Sequence, residues 1–92
     1  MSFVVQYADE VKKDDIPKLS FSVKNRIKGA IIKKLTSEPE KFGKPLRKSL
    51  KGYRKLRVGD YRVIFRIDKQ FVKVFAIGHR SVIYKHTQKR LS

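Results

Sequence analysis

The sequence predicts an α+β fold: an N-terminal strand, a helical hairpin, an antiparallel three-strand meander, and a C-terminal tail or short helix. Three observations carry this expectation. Val23, Ile27, Ala30, Ile31 and Leu35 recur at helical spacing and form one apolar stripe. Tyr61, Val63, Phe65 and Ile67 alternate with Arg62, Ile64 and Arg66, the period of a strand. Gly59-Asp60 and Lys69-Gln70 are breaks short enough to join antiparallel neighbours.

In chain order, Ser2 to Tyr7 reads as a short strand with Phe3 and Val5 on one face. Asp9 to Asp15 suits a short helix whose first turn carries acids, where the helix dipole favours them, and Pro17 ends or restarts it. Ser20 is a suitable N-cap for the striped helix, Gly29 weakens that helix, and Pro39 marks its exit. From Glu38 to Ser49 no period is visible, so a connecting loop is expected. Strands are then expected at Tyr53 to Val58, Tyr61 to Asp68 and Phe71 to Ile77. The tail from Ser81 to Leu91 is compatible with a helix but lacks a strong stripe. Residues 1–92 are read as a single domain, because a chain of 92 residues has room for one modest core.

The formal net charge is +16, with 24 Lys and Arg against 8 Asp and Glu, and such an excess implies a polyanionic partner. Its placement is uneven. From Lys41 to Arg57 no carboxylate interrupts the basic residues, and beyond them only Asp60 and Asp68 are acidic. Phe3-Val4-Val5 is too short for a signal core or a membrane span, so no membrane association is expected. The absence of cysteine excludes disulfides and thiolate metal sites and fits a cytoplasmic protein. Strand parity aligns Lys55 and Arg57 with Arg62 and Arg66, so these four are expected to share one open, anion-binding face.

These residue types fit RNA cleavage by attack of the ribose 2′-hydroxyl on the adjacent phosphate. That reaction needs a proton acceptor, a proton donor and cations around the developing charge, with no metal and no cofactor. Arg57, Arg62 and Arg80 suit bidentate phosphate contacts, and Lys55 adds a compact charge. Tyr84 is a candidate proton shuttle or orienting group, or else a packing tyrosine. His79 titrates nearest neutrality and serves as acid or base, or as a structural or phosphate contact. Tyr53, Tyr61, Phe65, Phe71 and Phe75 read mostly as core aromatics, one or two of them available to stack on bases.

The segment from Leu46 to Val63, the run Ile77-Gly78-His79-Arg80 with Tyr84, and Ile16-Pro17-Lys18-Leu19 together resemble the RelE family of bacterial and archaeal toxins. The resemblance covers nearly the whole chain. It implies cleavage of messenger RNA in the ribosomal A site and a RelB-like antitoxin that blocks it. The toxin is expected to be a monomer when free and part of a heteromer when bound. The family's catalytic positions fall on Lys55, Arg62, Arg80 and Tyr84, with His79 as a further candidate, and Lys48, Lys51, Arg54, Arg57 and Arg66 are the expected RNA-binding cations. A family lysine just upstream of Lys55 is matched here by Tyr53, with Arg54 or Lys51 available to supply its charge. Two rival readings share these features: a gyrase poison of the related ParE branch, which typically lacks the full cation-plus-tyrosine set, and a basic RNA-binding module without activity.

Overall fold

A computed structural model describes residues 2–91. Five strands form one sheet: β1 (Val4–Tyr7), β2 (Lys44–Pro45), β3 (Arg54–Val58), β4 (Tyr61–Asp68) and β5 (Phe71–His79). The spatial order is β1-β5-β4-β3-β2. β3, β4 and β5 form the expected meander, joined by two-residue turns at Gly59-Asp60 and Lys69-Gln70. Gly59 has φ 59°, a conformation its missing Cβ makes inexpensive, whereas Lys69 takes φ 57° with a side chain in place.

Two features of the sheet exceed the sequence expectation. β1 pairs in parallel with β5, so the first and last strands are neighbours. Within the segment read as a loop, Lys44 and Pro45 pair with Lys55 and Arg54 as a short edge strand. Pro45 cannot donate to a ladder, which suits an edge. Just before it, Gly43 is buried, and a Cβ there would overlap the Phe65 ring.

The helical hairpin begins with a wide turn at Val11–Asp15 and a tight one at Ile16–Lys18, then enters α1 (Phe21–Ala30), which continues in a wide turn at Ile31–Leu35. Ser20 caps α1 by accepting from the Val23 backbone N–H at 3.3 Å. A four-residue helix α2 (Pro39–Phe42) follows, and the chain closes with α3 (Ile83–Leu91).

The stripe on α1 and its extension buries Ile27, Ile31 and Leu35 against Leu56, Val63, Phe65, Val72 and Val74 of the sheet. Each such side chain contributes roughly 1.5–3 kcal/mol of transfer free energy. The opposite face of the sheet differs from expectation. Ile64 is fully buried there with Ala76 and Ile83, because α3 lies over the sheet's middle. An irregularity between Ile64 and Phe65 places Ala76 opposite Ile64 and Val74 opposite Phe65. Lys55, Arg57, Arg62 and Arg66 do share this face by register, but the apolar patch under α3 separates Arg66 from the other three.

A polar latch holds α3. Asp15, 4 % exposed, receives both ends of the Arg90 guanidinium at 2.9 and 3.0 Å and the Ile77 backbone N–H at 2.9 Å. Arg90 also donates to the Phe75 carbonyl (2.8 Å) and to His86 Nε2 (2.8 Å). A guanidinium only donates, so Nε2 accepts and carries no proton in this arrangement. The hydrogen bond to Asp15 raises the Arg90 pKa above its ordinary value. No described helix is long and apolar enough to cross a membrane.

Candidate RNA-cleavage site

Lys55, Arg62, His79, Arg80 and Tyr84, with Ser81, line one open cup of about 410 Å³. Four elements meet there. Lys55 lies on β3 opposite Ile64, and Arg62 lies on β4 between Arg57 and Gly78. His79 ends β5, Arg80 begins the turn after it, and Tyr84 stands in the first turn of α3. The turn is fixed by backbone bonds: Arg80 N–H donates to the Asp60 carbonyl at 2.8 Å, and Val82 N–H donates to the His79 carbonyl at 3.1 Å.

Each side chain has a definable state. Arg62 Nη1 donates to the carbonyls of Gly59 and Tyr61, both at 2.8 Å, which ties the guanidinium to the β3–β4 turn. Its remaining N–H groups make no hydrogen bond among the described residues, so an anion can take them. Arg80 Nε stands 3.6 Å from Asp60 Oδ1, with both side chains largely exposed, a contact worth under about 1 kcal/mol that a phosphate can displace. Lys55 Nζ lies 5.6 Å from the centroid of the Tyr84 ring. This cation–π contact fixes the two groups relative to each other.

His79 Nδ1 accepts from the Ser81 backbone N–H at 3.2 Å and lies 2.8 Å from Ser81 Oγ, while its ring meets Tyr61 edge-on at 5.5 Å. With Nδ1 occupied, the neutral imidazole carries its proton on Nε2 and presents a donor. In this geometry His79 is suited to donate to a phosphate or leaving oxygen and poorly placed to remove a proton.

The other expected RNA contacts are scattered. Arg57 is exposed beside Arg62. Lys48 and Lys51 are exposed at the Lys48–Leu50 turn, which reaches α3 through a 3.0 Å bond from Gln88 to Ser49. Arg54 is half-buried and donates to the Gly43 carbonyl at 2.9 Å. One residue from Lys55 on a strand, it faces the other way and brings no charge to the cup. Arg66 lies on the far side of the apolar patch, beside Lys73. Sequence reasoning missed two contributors. Ser81 orients His79, and the Asp15–Arg90 latch fixes the helix that carries Tyr84. Among the described residues no group of three potential His, Asp or Glu metal ligands stands together.

The parallel first strand, the meander and the terminal helix recur in toxins of known toxin–antitoxin complexes. Residues 5–84 match the family model described as ParE toxin of type II toxin–antitoxin system, parDE. The chain is 33 % identical over 91 residues to Toxin RelG of Mycobacterium tuberculosis, covering 92 % of this chain and 99 % of that one. It is 42 % identical over 53 residues to Toxin RelE of the same organism, about 55 % of each chain. The M. tuberculosis toxin–antitoxin complex RelBE2 contains a chain of the same fold, with TM-score 0.77, 29 % identity, and coverage of 87 % of this chain and all of that one. Escherichia coli RelE, bound to an antitoxin RelB peptide, shares the fold at TM-score 0.67 and 22 % identity, with 94 % of each chain covered. The chain is a toxin of a type II toxin–antitoxin system. It belongs to the ParE toxin family of the RelE/ParE superfamily.

Proposed function

We propose that this toxin is a metal-independent endoribonuclease that cuts messenger RNA on the ribosome. The observation that carries the reading is the convergence of Lys55, Arg62, His79, Arg80 and Tyr84 on one cup. Arg62 and Arg80 hold the scissile phosphate and stabilise the charge that grows on it. Tyr84, held against Lys55, relays the proton of the attacking 2′-hydroxyl through solvent to the leaving 5′-oxygen, and His79 Nε2–H stabilises that oxygen by a hydrogen bond while keeping its own proton. The bond formed is 2′-oxygen to phosphorus and the bond broken is phosphorus to 5′-oxygen, leaving a cyclic phosphate. None of these groups is a strong base near neutral pH, so free RNA is a poor substrate. A ribosome that holds the message in line supplies the missing positioning, worth several kcal/mol.

On this reading the whole chain acts as one domain in the cytoplasm, monomeric when free. Its antitoxin is RelB-like, as in the RelBE complexes that share the fold. The test is primer extension on translated message in the presence of wild type, Arg80→Ala and Tyr84→Phe. Each variant loses about a hundredfold in cleavage, roughly 3 kcal/mol of transition-state stabilisation. Full cleavage by Arg80→Ala at matched expression would refute the assignment.

The match to the ParE family model favours a second reading, a gyrase poison. Inhibition of supercoiling with messages left intact selects it.

A further inference from the structure

Beyond the apolar patch under α3, the same face of the sheet carries a second polar row. Arg66 on β4 faces Lys73 on β5, and Lys73 faces Gln6 on β1. Tyr53 precedes Arg54, the partner of Phe65, and so flanks Arg66 on the other side. Phe75 completes the group, its ring 5.3 Å from that of Tyr53 and tilted by 47°. These side chains line an open groove of about 370 Å³.

The row is costly without a ligand. Arg66 and Lys73 are like charges directly opposite each other, which destabilises a sheet. Lys73 is relieved by Asp68 at 3.1 Å, and that bond lowers the Asp68 pKa below its ordinary value. Arg66 is exposed and makes no hydrogen bond or ion pair within 4.0 Å among the described residues. The two rings pack against the Ile64–Ala76–Ile83 cluster on one side and stay half-exposed on the other. An exposed Arg66 and a singly paired Lys73 beside half-open aromatic rings are what a nucleotide strand uses: backbone neutralisation from the cations, base stacking from the rings.

We propose that this row is a second RNA subsite, which stacks a base on Tyr53 and Phe75 and neutralises its phosphate with Arg66 and Lys73. It deepens the ribonuclease reading and rests on it for the identity of the strand. Arg62 of the cup and Arg66 of the row are four residues apart on one strand and one face. That separation is about 13 Å, the length of about four stacked nucleotides. Because α3 covers Ile64 between them, a message that reaches both sites passes around Tyr84, and the subsite reads a nucleotide about four positions from the cut.

The test uses the full chain and a 2′-O-methyl RNA oligonucleotide, which binds but cannot be cut. Arg66→Gln weakens binding about fivefold and reduces the log–log salt slope by about 0.7, one phosphate contact on a single strand. Tyr53→Leu weakens binding about five- to tenfold and leaves the slope unchanged, because stacking releases no counterions. If Tyr53→Leu fails to fold, Arg66→Gln alone decides, since an exposed side chain carries no packing. Wild-type affinity and slope in Arg66→Gln overturn the subsite, and ribosomal cleavage can still stand. Conversely, intact messages together with the Arg66-dependent slope remove the ribonuclease reading and leave the RNA subsite in place.

Discussion

The helices α1 and α3 lie on opposite faces of one sheet and are held there by opposite means. α1 and its extension offer an apolar stripe, Ile27, Ile31 and Leu35, to an apolar sheet face. α3 offers Ile83, Thr87 and Arg90, spaced four and three residues apart, so its inward face is mostly polar. Thr87 is satisfied by its own helix, donating to the Ile83 carbonyl at 2.7 Å, and Arg90 by Asp15. An apolar stripe tolerates small shifts because contact area varies smoothly with position. A bidentate ion pair has one geometry, and it sets the pose of the helix that carries Tyr84 of the proposed site.

The largest expected effect is therefore on the polar side. Arg90→Ala leaves Asp15 charged and buried and costs about 3–5 kcal/mol, read as the urea unfolding midpoint. Replacing both partners, as Asp15→Leu with Arg90→Met, recovers part of that loss: the desolvation penalty of the charges goes with the pair, while the Ile77 N–H and the Phe75 carbonyl lose their partners. Proposed cleavage does not recover in parallel, since nothing then fixes the pose of α3. Equal recovery of stability and cleavage would show that the latch sets stability alone.

Next comes the apolar side. Leu35→Ala removes a fully buried side chain and costs about 3 kcal/mol, with cleavage per folded molecule unchanged. Ser20→Ala removes only the cap of α1, about 1 kcal/mol, and a thermal melt resolves it.

The smallest effect belongs to Asp68. Lys73 depresses its pKa in the folded state, so its contribution to stability is present above the unfolded carboxylate value near about pH 4 and is lost as pH falls through the folded one. The stability difference between wild type and Asp68→Asn accordingly fades as the solution is acidified through that window, and a difference that grew on acidification would reverse the sign.

The same contrast explains what could be read from the sequence. The stripe on α1, its serine cap and the alternation on β4 are local periods written in neighbouring residues, and the structure places all three as expected. The cup residues were legible through the Gly78-His79-Arg80 run and Tyr84. The cover over Ile64 was not, because α3 turns Ile83 inward together with Thr87 and Arg90, two side chains that hydropathy reads as exposed. Asp15 reads only as the last residue of a short acidic helix, and its partner lies 75 positions away. Arg54 reads as able to supply the charge of the family lysine matched here by Tyr53, yet strand parity sends it to the Gly43 carbonyl. Parallel pairing of β1 with β5 leaves no local mark either, since a parallel partner is never a hairpin neighbour.

That pairing also sets the order in which the molecule can mature. β5 is the last strand to be synthesised, and it lies at the junction of β1 with the meander. Until Phe71–His79 has emerged, β1 has no edge to join and β4 lacks one neighbour. Until Arg90 follows, Asp15 has no counter-charge. Contacts of such long sequence separation place folding in the slower range for a chain of this size, milliseconds to seconds. A chain still being translated therefore has an unfinished sheet until Phe71–His79 has emerged, and no assembled cup until Tyr84 and Arg90 follow.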